Sequence, residues 1–514
     1  MKKSIALLLC AVMAFLLCAC GGGETADGGN TATQNTFCVG YAKADITPEG
    51  SVPLTGYGDA ADRFSNQVMD PLSATCVAFQ DAEGNRLIYF GVDLLYTFGE
   101  TTTWVRQKIS EETGVPFDHV LFSADHSHSA VDQRLSAVAT VVAANQKYME
   151  NCLQAAKDAL ADLKPAKMYG TFTRPEGLNY VRHYVMSDGT YKAKAVGEHP
   201  QEEIYGHLWK ADNLFQMVKF VREGGKDVVL INWQSHYWSA AKINYNGISA
   251  DYYGVLRNEL EAAMDCHTAF VLGGAGNLEA RSLINGETPA KDYIEHGKLL
   301  AQEALKVKDT FQPLETGEII LNEFMYVAEG TLRENPLYTF GFGDFGMAMA
   351  PFEIFDIHAR GVREDSKYKY TFYASCANDI DGYLPHEGSY DYYCYEVGIT
   401  KYPKGTGEAI QAKLTEMIND CFDRSGQTVK ERPEGYVTAP FEPYTDDVEY
   451  INPYVGDTSK LVQSANDNYP LMLVTATGGK NVVIDNLELA EKIVNTPTMK
   501  LLFDDRNIVV GIVE

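Results

Sequence analysis

From about residue 85, continuous apolar runs of strand length alternate with segments of helical period. LIYFGVDLL (87–95) and HVLFSA (119–124) read as buried strands, because a strand covered on both faces has no polar side to show. TTTWVRQKISEETG (101–114) lies between them and reads as a helix. A Thr caps its start, Gly114 ends it and Pro116 follows. NQKYMENCLQAAKDALADLKP (145–165) is amphipathic, with an apolar face of Met149, Cys152, Leu153, Ala156, Leu160 and Leu163 and a stop at Pro165. DVVLINWQ (227–234) is a further strand. ISADYYGVLRNELEAAM (248–264) is a helix with Ser249 or Asp251 at its cap. TAFVLGGAG (268–276) is a strand that runs into a glycine turn.

This alternation predicts an α/β (α+β) fold, with a mixed β-sheet core flanked by helices. The pattern changes after about residue 310, where 338–355, MKLLF and NIVVGIVE read as hairpin strands. The Pro- and acid-rich stretch KERPEGYVTAPFEPYTDD (430–447) reads as a linker. The boundaries drawn are a main domain over 37–430 and a small C-terminal α+β or β-rich unit over 431–514. Within that unit, 482–514 reads strand–helix–strand–strand.

The start of the chain departs from the rest. Lys2 and Lys3 precede an apolar run too short for a confident membrane span. The run ends LCAC, which resembles a bacterial lipobox. Residues 1–20 are then a signal peptide, Cys20 is the lipidated residue, and the Gly-rich stretch 21–36 is a tether. A plain secretory signal or an N-terminal anchor is the other reading. The expectation is an extracytoplasmic protein held on a bacterial membrane through Cys20.

Composition narrows the function. The 514 residues carry a formal net charge of -27 with no compensating basic run, which argues against nucleic-acid binding. Setting aside Cys10, Cys18 and Cys20 leaves seven cysteines without a C-x-x-C pair, read as mostly buried free thiols. The chain lacks H-E-x-x-H and G-x-S-x-G. A literal G-x-G-x-x-G occurs at Gly341, Gly343 and Gly346. It is followed by MAMAPFEIF, which alternates like a strand, and does not open a helix on a pyrophosphate.

The candidate chemistry is in LFSADHSHSA (121–130). A buried strand ends in His126 and His128, spaced so that both face one side of an extended chain. His236 follows DVVLINWQ in an equivalent place, and GGAGN follows a third strand. Three strand ends thus deliver two kinds of donor toward one rim, where α/β folds place ligands. Zinc takes His nitrogens and carboxylate oxygens and keeps a position open when catalytic. Spacing alone leaves open the plainer reading, polar residues at loop mouths.

Taken together and in order, several segments resemble the neutral/alkaline, non-lysosomal ceramidase family. They are VGYAKADITPEG (39–50), Asp93-Leu94, SADHSHSA, NYVRHYVMSDGT (179–190), NWQSHYWSA with ISADYYG, GGAGNLEARS, APFEIF and NDIDGYLPHEGSYDYYCYE (378–396). The resemblance covers roughly 38–430. It implies one zinc ion per chain, held by His126, His236, Glu353 and Tyr383, with His128 beside the metal. It places the substrate-site arginine on Arg182 and a second functional tyrosine on Tyr395. Glu279 falls where the family has a substrate-contacting Ser. Asp125, Ala130 and Val181 are further departures.

The implied activity is zinc-dependent hydrolysis of the amide bond of an N-acyl lipid such as ceramide, giving a fatty acid and an amine. His128 and Tyr395 would assist the oxyanion, and His128 would protonate the leaving amine. Arg182 would hold a polar or anionic substrate group. Two alternatives stay open: a zinc hydrolase of another amide, such as an N-acyl amino acid or a peptide-like substrate, and a non-catalytic binding lipoprotein. Asp45, Asp93 and Asp251 are supporting or capping residues, with Asp251 read first as a helix cap.

Overall fold

The computed structural model describes residues 36–437, apart from 58–62, 136, 188–189, 194–203, 285 and 393, together with four short strands between 471 and 512. The expected signal peptide and Cys20 lie outside the described residues, as does most of the tether.

A nine-stranded mixed sheet forms the centre. From one edge the strands run Cys266–Leu272, Asp227–Trp233, Phe215–Arg222, Lys164–Thr173, Cys38–Asp45, Ser73–Gln80, Arg86–Val92 and Val120–Ala124. Gln312–Leu314 pairs off this path with Lys164–Thr173. Parallel pairing occurs at the two edges: Arg86–Val92 with Val120–Ala124, and Asp227–Trp233 with Cys266–Leu272. A parallel pair needs a long crossover. Helix α1 (Gly99–Thr113) supplies the first, and helix α3 (Asp251–Met264) the second. Between the edges the pairing is antiparallel.

Alternation along the strands decides what each face meets. In Ser73–Gln80, Val77 and Phe79 enter one core with Phe342 and Met347, while Cys76 and Ala78 face helix α2 (Ala139–Ala161) through Ala155, Ala156 and Ala159. The first core lies between the large sheet and a second sheet of Ile320–Val327, Glu334–Phe342, Phe345–Met349 and Tyr370–Ala374. Helices α3 and α4 (Tyr293–Leu305) cover the far face of the 227–272 edge. Helices α5 (Asp356–Asp365) and α6 (Thr406–Arg424) cover the second sheet. The fold class is therefore mixed α/β, as expected from the sequence.

Local expectations were met unevenly. Gly114 ends α1 in the left-handed region, at φ 75°, but Phe98 and no Thr stands at its start, without a side-chain cap. Helix α2 begins at Ala139, six residues before the expected Asn145, and ends at Ala161, ahead of Pro165. Pro165 instead lies in the Lys164–Thr173 strand. GFGDFG is a hairpin: Phe342 pairs with Phe345 and Gly343 takes the turn at φ 56°. Six of the seven remaining cysteines are buried and all seven are free thiols. Residues up to Val437 stay with the core. Tyr436 is fully buried, accepting from Thr371 N at 2.9 Å and donating to Gln216 Oε1 at 2.6 Å. Beyond it, 471–474 pairs with 481–484 and 499–504 with 507–512. The helix expected between them lies outside the described residues.

Candidate metal centre

Three pieces of chain carry the candidate ligands to one point. The strand Val120–Ala124 ends, and His126 follows in the left-handed region at φ 70°. A non-glycine residue held there signals a constraint from its surroundings. Here the backbone N–H groups of His126 and Ser127 both donate to Leu94 O, at 3.0 and 3.1 Å. His126 Nδ1 donates to Leu95 O at 3.0 Å, which leaves Nε2 as the inward nitrogen. His236, after Asp227–Trp233, is pinned in the same way: its Nδ1 bonds Ala275 O at 2.6 Å and Leu278 O at 3.0 Å.

Glu353 and Tyr383 arrive on two short strands, Glu353–Ile354 and Tyr383–Leu384, paired in parallel with Glu353 opposite Tyr383. Glu353 Oε2 lies 3.1 Å from His126 Nε2 and 3.1 Å from His236 Nε2. The Tyr383 hydroxyl is 3.5 Å from His236 Nε2. Gly276 makes this meeting possible: a Cβ there would fall 2.3 Å from Glu353 O. Its turn is tied to the Glu353 segment by Gly276 N to Ile354 O at 2.8 Å and by the Asn277–Asp356 pair.

His128 is brought to the same place. His126, His128 and His236 offer nitrogens within 4.8 Å of one another. Yet His128 is held differently. Its ring stacks on Tyr237 at 3.8 Å and lies beside Gly56, and Nε2 has no hydrogen-bond partner. Burial, then His126 and His236, push its imidazole well below the usual range. Burial lowers His236 likewise, with Arg182 next. Burial opposes the charge on Glu353, but contact with His126 and His236 outweighs it and holds the carboxyl well below its ordinary value.

These atoms fit a cation. The Nδ1 bonds leave two imidazole lone pairs and a carboxylate oxygen facing one another in a buried space. Such a set is comfortable only with protons or a cation between them. Two His and one carboxylate, with a tyrosine hydroxyl adjacent, form a donor set of the zinc type.

Arg182 adjoins the cluster, its guanidinium carbon 5.6 Å from the Tyr383 ring centre. Its Nη1 is 3.7 Å from Glu279 Oε1. Tyr395 sits at the rim, 38% exposed, with its ring 5.9 Å from that of Tyr383. Asp251 corrects its expected role. It is the first residue of α3, and its carboxylate accepts from the backbone of Trp238, Ser239 and Ala240. It thereby fixes the loop that follows His236. Asp93 and Asp125 face Arg257, at 2.6 and 3.8 Å, behind the His126 turn. Asp45 is a surface partner of Lys147, away from the site.

Sequence reasoning missed Gly56, Tyr237, Arg63, His183 and Glu396. Arg63 is buried and donates to His128 O at 2.7 Å and Thr55 O at 2.8 Å. Tyr237 and Glu396 stand next in the chain to residues that were named, but nothing in their spacing shows which way they face.

No family model and no curated protein matches the sequence. Solved structures do match in shape. A ceramidase in complex with C2 aligns with a TM-score of 0.63 at 16% identity, covering 82% of this chain and 81% of that one. The neutral ceramidase from Pseudomonas aeruginosa aligns with a TM-score of 0.59 at 17% identity, covering 80% and 78%. Over about four-fifths of its length, this chain therefore shares the fold of the neutral ceramidases.

Proposed function

We propose that this chain is a zinc-dependent amidohydrolase that cleaves the amide bond of N-acyl lipids to a fatty acid and an amine. One observation carries the reading: two Nε2 atoms, each set by a main-chain carbonyl behind it, stand 3.1 Å from one carboxylate oxygen. That the fold is shared with ceramidases supports it.

His126, His236, Glu353 and Tyr383 would hold the zinc. The metal supplies a Lewis acid that polarises an amide carbonyl and lowers the pKa of water toward ~7. The chain's own groups handle the rest. An amine leaves only if its nitrogen gains a proton. His128 Nε2, buried beside the ligands and without a hydrogen-bond partner, is placed to carry it. Tyr395 at the rim can donate to a developing oxyanion. Tyr57 and Tyr237, whose rings meet at 5.5 Å beside His128, give the substrate an apolar wall.

We further propose that the enzyme works outside the cytoplasm, held on a bacterial membrane through lipidated Cys20. Among the described residues no helix is long and apolar enough to cross a membrane. Incorporation of labelled fatty acid, lost in Cys20→Ala, tests the anchor.

The test of function is metal analysis joined to an assay. Zinc per chain is measured, and purified protein is offered N-acylsphingosines, N-acyl amino acids and short amides beside His126→Ala. Zinc near one per chain and amide hydrolysis lost in the variant are expected. A metal-free wild type, or unchanged activity in His126→Ala, would sink the proposal.

A further inference from the structure

Arg182 and Arg63 are both buried beside the candidate cluster, and they are held in different ways. Arg182 meets a carboxylate. Its Nε donates to Glu396 Oε1 at 2.6 Å, and Glu396 Oε2 accepts from His183 Nε2 at 3.0 Å. Arg63 meets main chain. Its Nε donates to Tyr245 O at 2.7 Å, and its Nη1 to Thr55 O at 2.8 Å and His128 O at 2.7 Å. The guanidinium carbon lies 4.7 Å from the ring centres of both Tyr57 and Tyr245. One planar cation thus joins three stretches of chain distant in sequence, through a fork of donors that an ammonium group cannot copy.

These stretches frame His128. His126 and His236 are each aimed by a carbonyl on Nδ1. His128 Nε2 has no hydrogen-bond partner, so packing and its own main chain aim the ring. Tyr237 covers one face at 3.8 Å, and Tyr57 meets the ring edge-on at 5.4 Å. Arg63 covers the Tyr57 ring and binds the His128 carbonyl. It therefore holds His128 twice, through its main chain and through the ring beside it. The Arg63 carbonyl accepts from Leu54 N at 2.7 Å, which anchors the arginine's own backbone.

Resting on the function proposed above, we infer that Arg63 is a positioning residue for proton delivery by His128. Being 2% exposed, with its donors on carbonyl oxygens, it acts through His128 and not on substrate. It keeps the imidazole where the departing amine nitrogen needs a proton, and a displacement of about 1 Å costs a reaction up to ~10²-fold. His126 and His236, aimed by other carbonyls, stay in place when Arg63 is changed.

The leaving group separates this role from a structural one. An alkylamine leaves only with a proton, whereas nitrophenolate leaves without one. Zinc-loaded wild type and Arg63→Lys are compared on N-dodecanoylsphingosine and on the nitrophenyl ester of dodecanoic acid. Turnover of the amide is expected to fall on the order of 10–100-fold and that of the ester by less than about threefold, with zinc content unchanged. Adding Arg63→Lys to His128→Ala should cost the amide nothing further, because residues acting as a unit are not additive. Equal loss on both substrates, loss of zinc, or additive effects overturns the inference and leaves amide hydrolysis standing. Tyr245, 54% exposed, offers a milder variant: Tyr245→Leu strips one face from the guanidinium and should move the amide-to-ester ratio the same way. Where Arg63→Lys does not fold, an unmoved ratio in Tyr245→Leu overturns the inference. Histidine ring-nitrogen NMR reads the positioning without turnover, each signal being assigned by its loss in the matching His→Ala variant. The His128 signal is expected to shift in Arg63→Lys or Tyr245→Leu while those of His126 and His236 stay, and any other pattern overturns the inference. Absence of zinc or of all amide turnover in the wild type instead counts against the function proposed above.

Discussion

Glu353 and Tyr383 sit opposite each other as register partners in a two-residue parallel ladder. Partners in a ladder project to the same face, so this short pairing points a carboxylate and a phenol at one spot. Glu353 N also donates to Gly382 O at 2.9 Å, which locks the register. Glu353→Gln should weaken zinc by more than the ~10–100-fold typical of outer partners. Tyr383→Phe should weaken it less, because His126, His236 and Glu353 remain. Chelator competition measures both, and equal affinity in all three proteins would remove the ladder from the proposed metal site.

His128 separates two roles that geometry brings close together. If it carries a proton and holds no metal, His128→Ala keeps zinc and loses kcat by about 10²–10⁴-fold. Gly56 gives an independent handle. Its φ is 109°, and a Cβ there would lie 2.5 Å from the His128 ring. Gly56→Ala should displace His128 and depress kcat with zinc retained. Loss of zinc in His128→Ala would make this residue a ligand.

The Arg182–Glu396 pair is a stability element as well. Both side chains are buried, and removing one partner of a buried ion pair strands the other. Glu396→Gln is expected to cost about 3–5 kcal/mol in urea unfolding, whereas replacing both by apolar residues should cost less. A single variant as stable as the wild type would show that Arg182 finds another partner.

His296, in α4, gives a pH signature from a residue outside the candidate metal cluster. Neither ring nitrogen has a partner, its ring meets Tyr252 edge-on, and burial pushes its pKa down to about 3. The unfolded chain takes up a proton below about 6.5, while the folded chain stays neutral until about 3. Its contribution is therefore complete above pH 6.5 and is lost as pH falls toward 3. At ~1.4 kcal/mol per pH unit this is about 2 kcal/mol at pH 5. His296→Phe should flatten that part of the stability profile, as read by chemical denaturation at several pH values. An unchanged slope would assign the acid sensitivity to other groups.

How much of this was legible in the sequence depends on where the information lies. The edge strands and their crossover helices showed as apolar runs and a helical period, because full burial leaves a local mark on composition. The inner strands Cys38–Asp45 and Lys164–Thr173 did not. Each mixes buried and polar positions, and antiparallel partners distant in the chain decide their state. The start of α2 was lost for a similar reason, since Ala139–Ala144 carries little periodicity of its own.

The sequence by itself determined which residues are candidates for the chemistry: histidines at strand ends, a resemblance whose order picked out Glu353 and Tyr383, and seven cysteines without a pairing motif. Only the tertiary structure decided which nitrogen of each histidine faces inward, because carbonyls from Leu95, Ala275 and Leu278 make that choice. It also decided that Arg182 is matched by Glu396, 214 residues away in the chain. A hydrogen bond or ion pair between distant segments has no period and no spacing. It exists only once the fold has brought the two segments together.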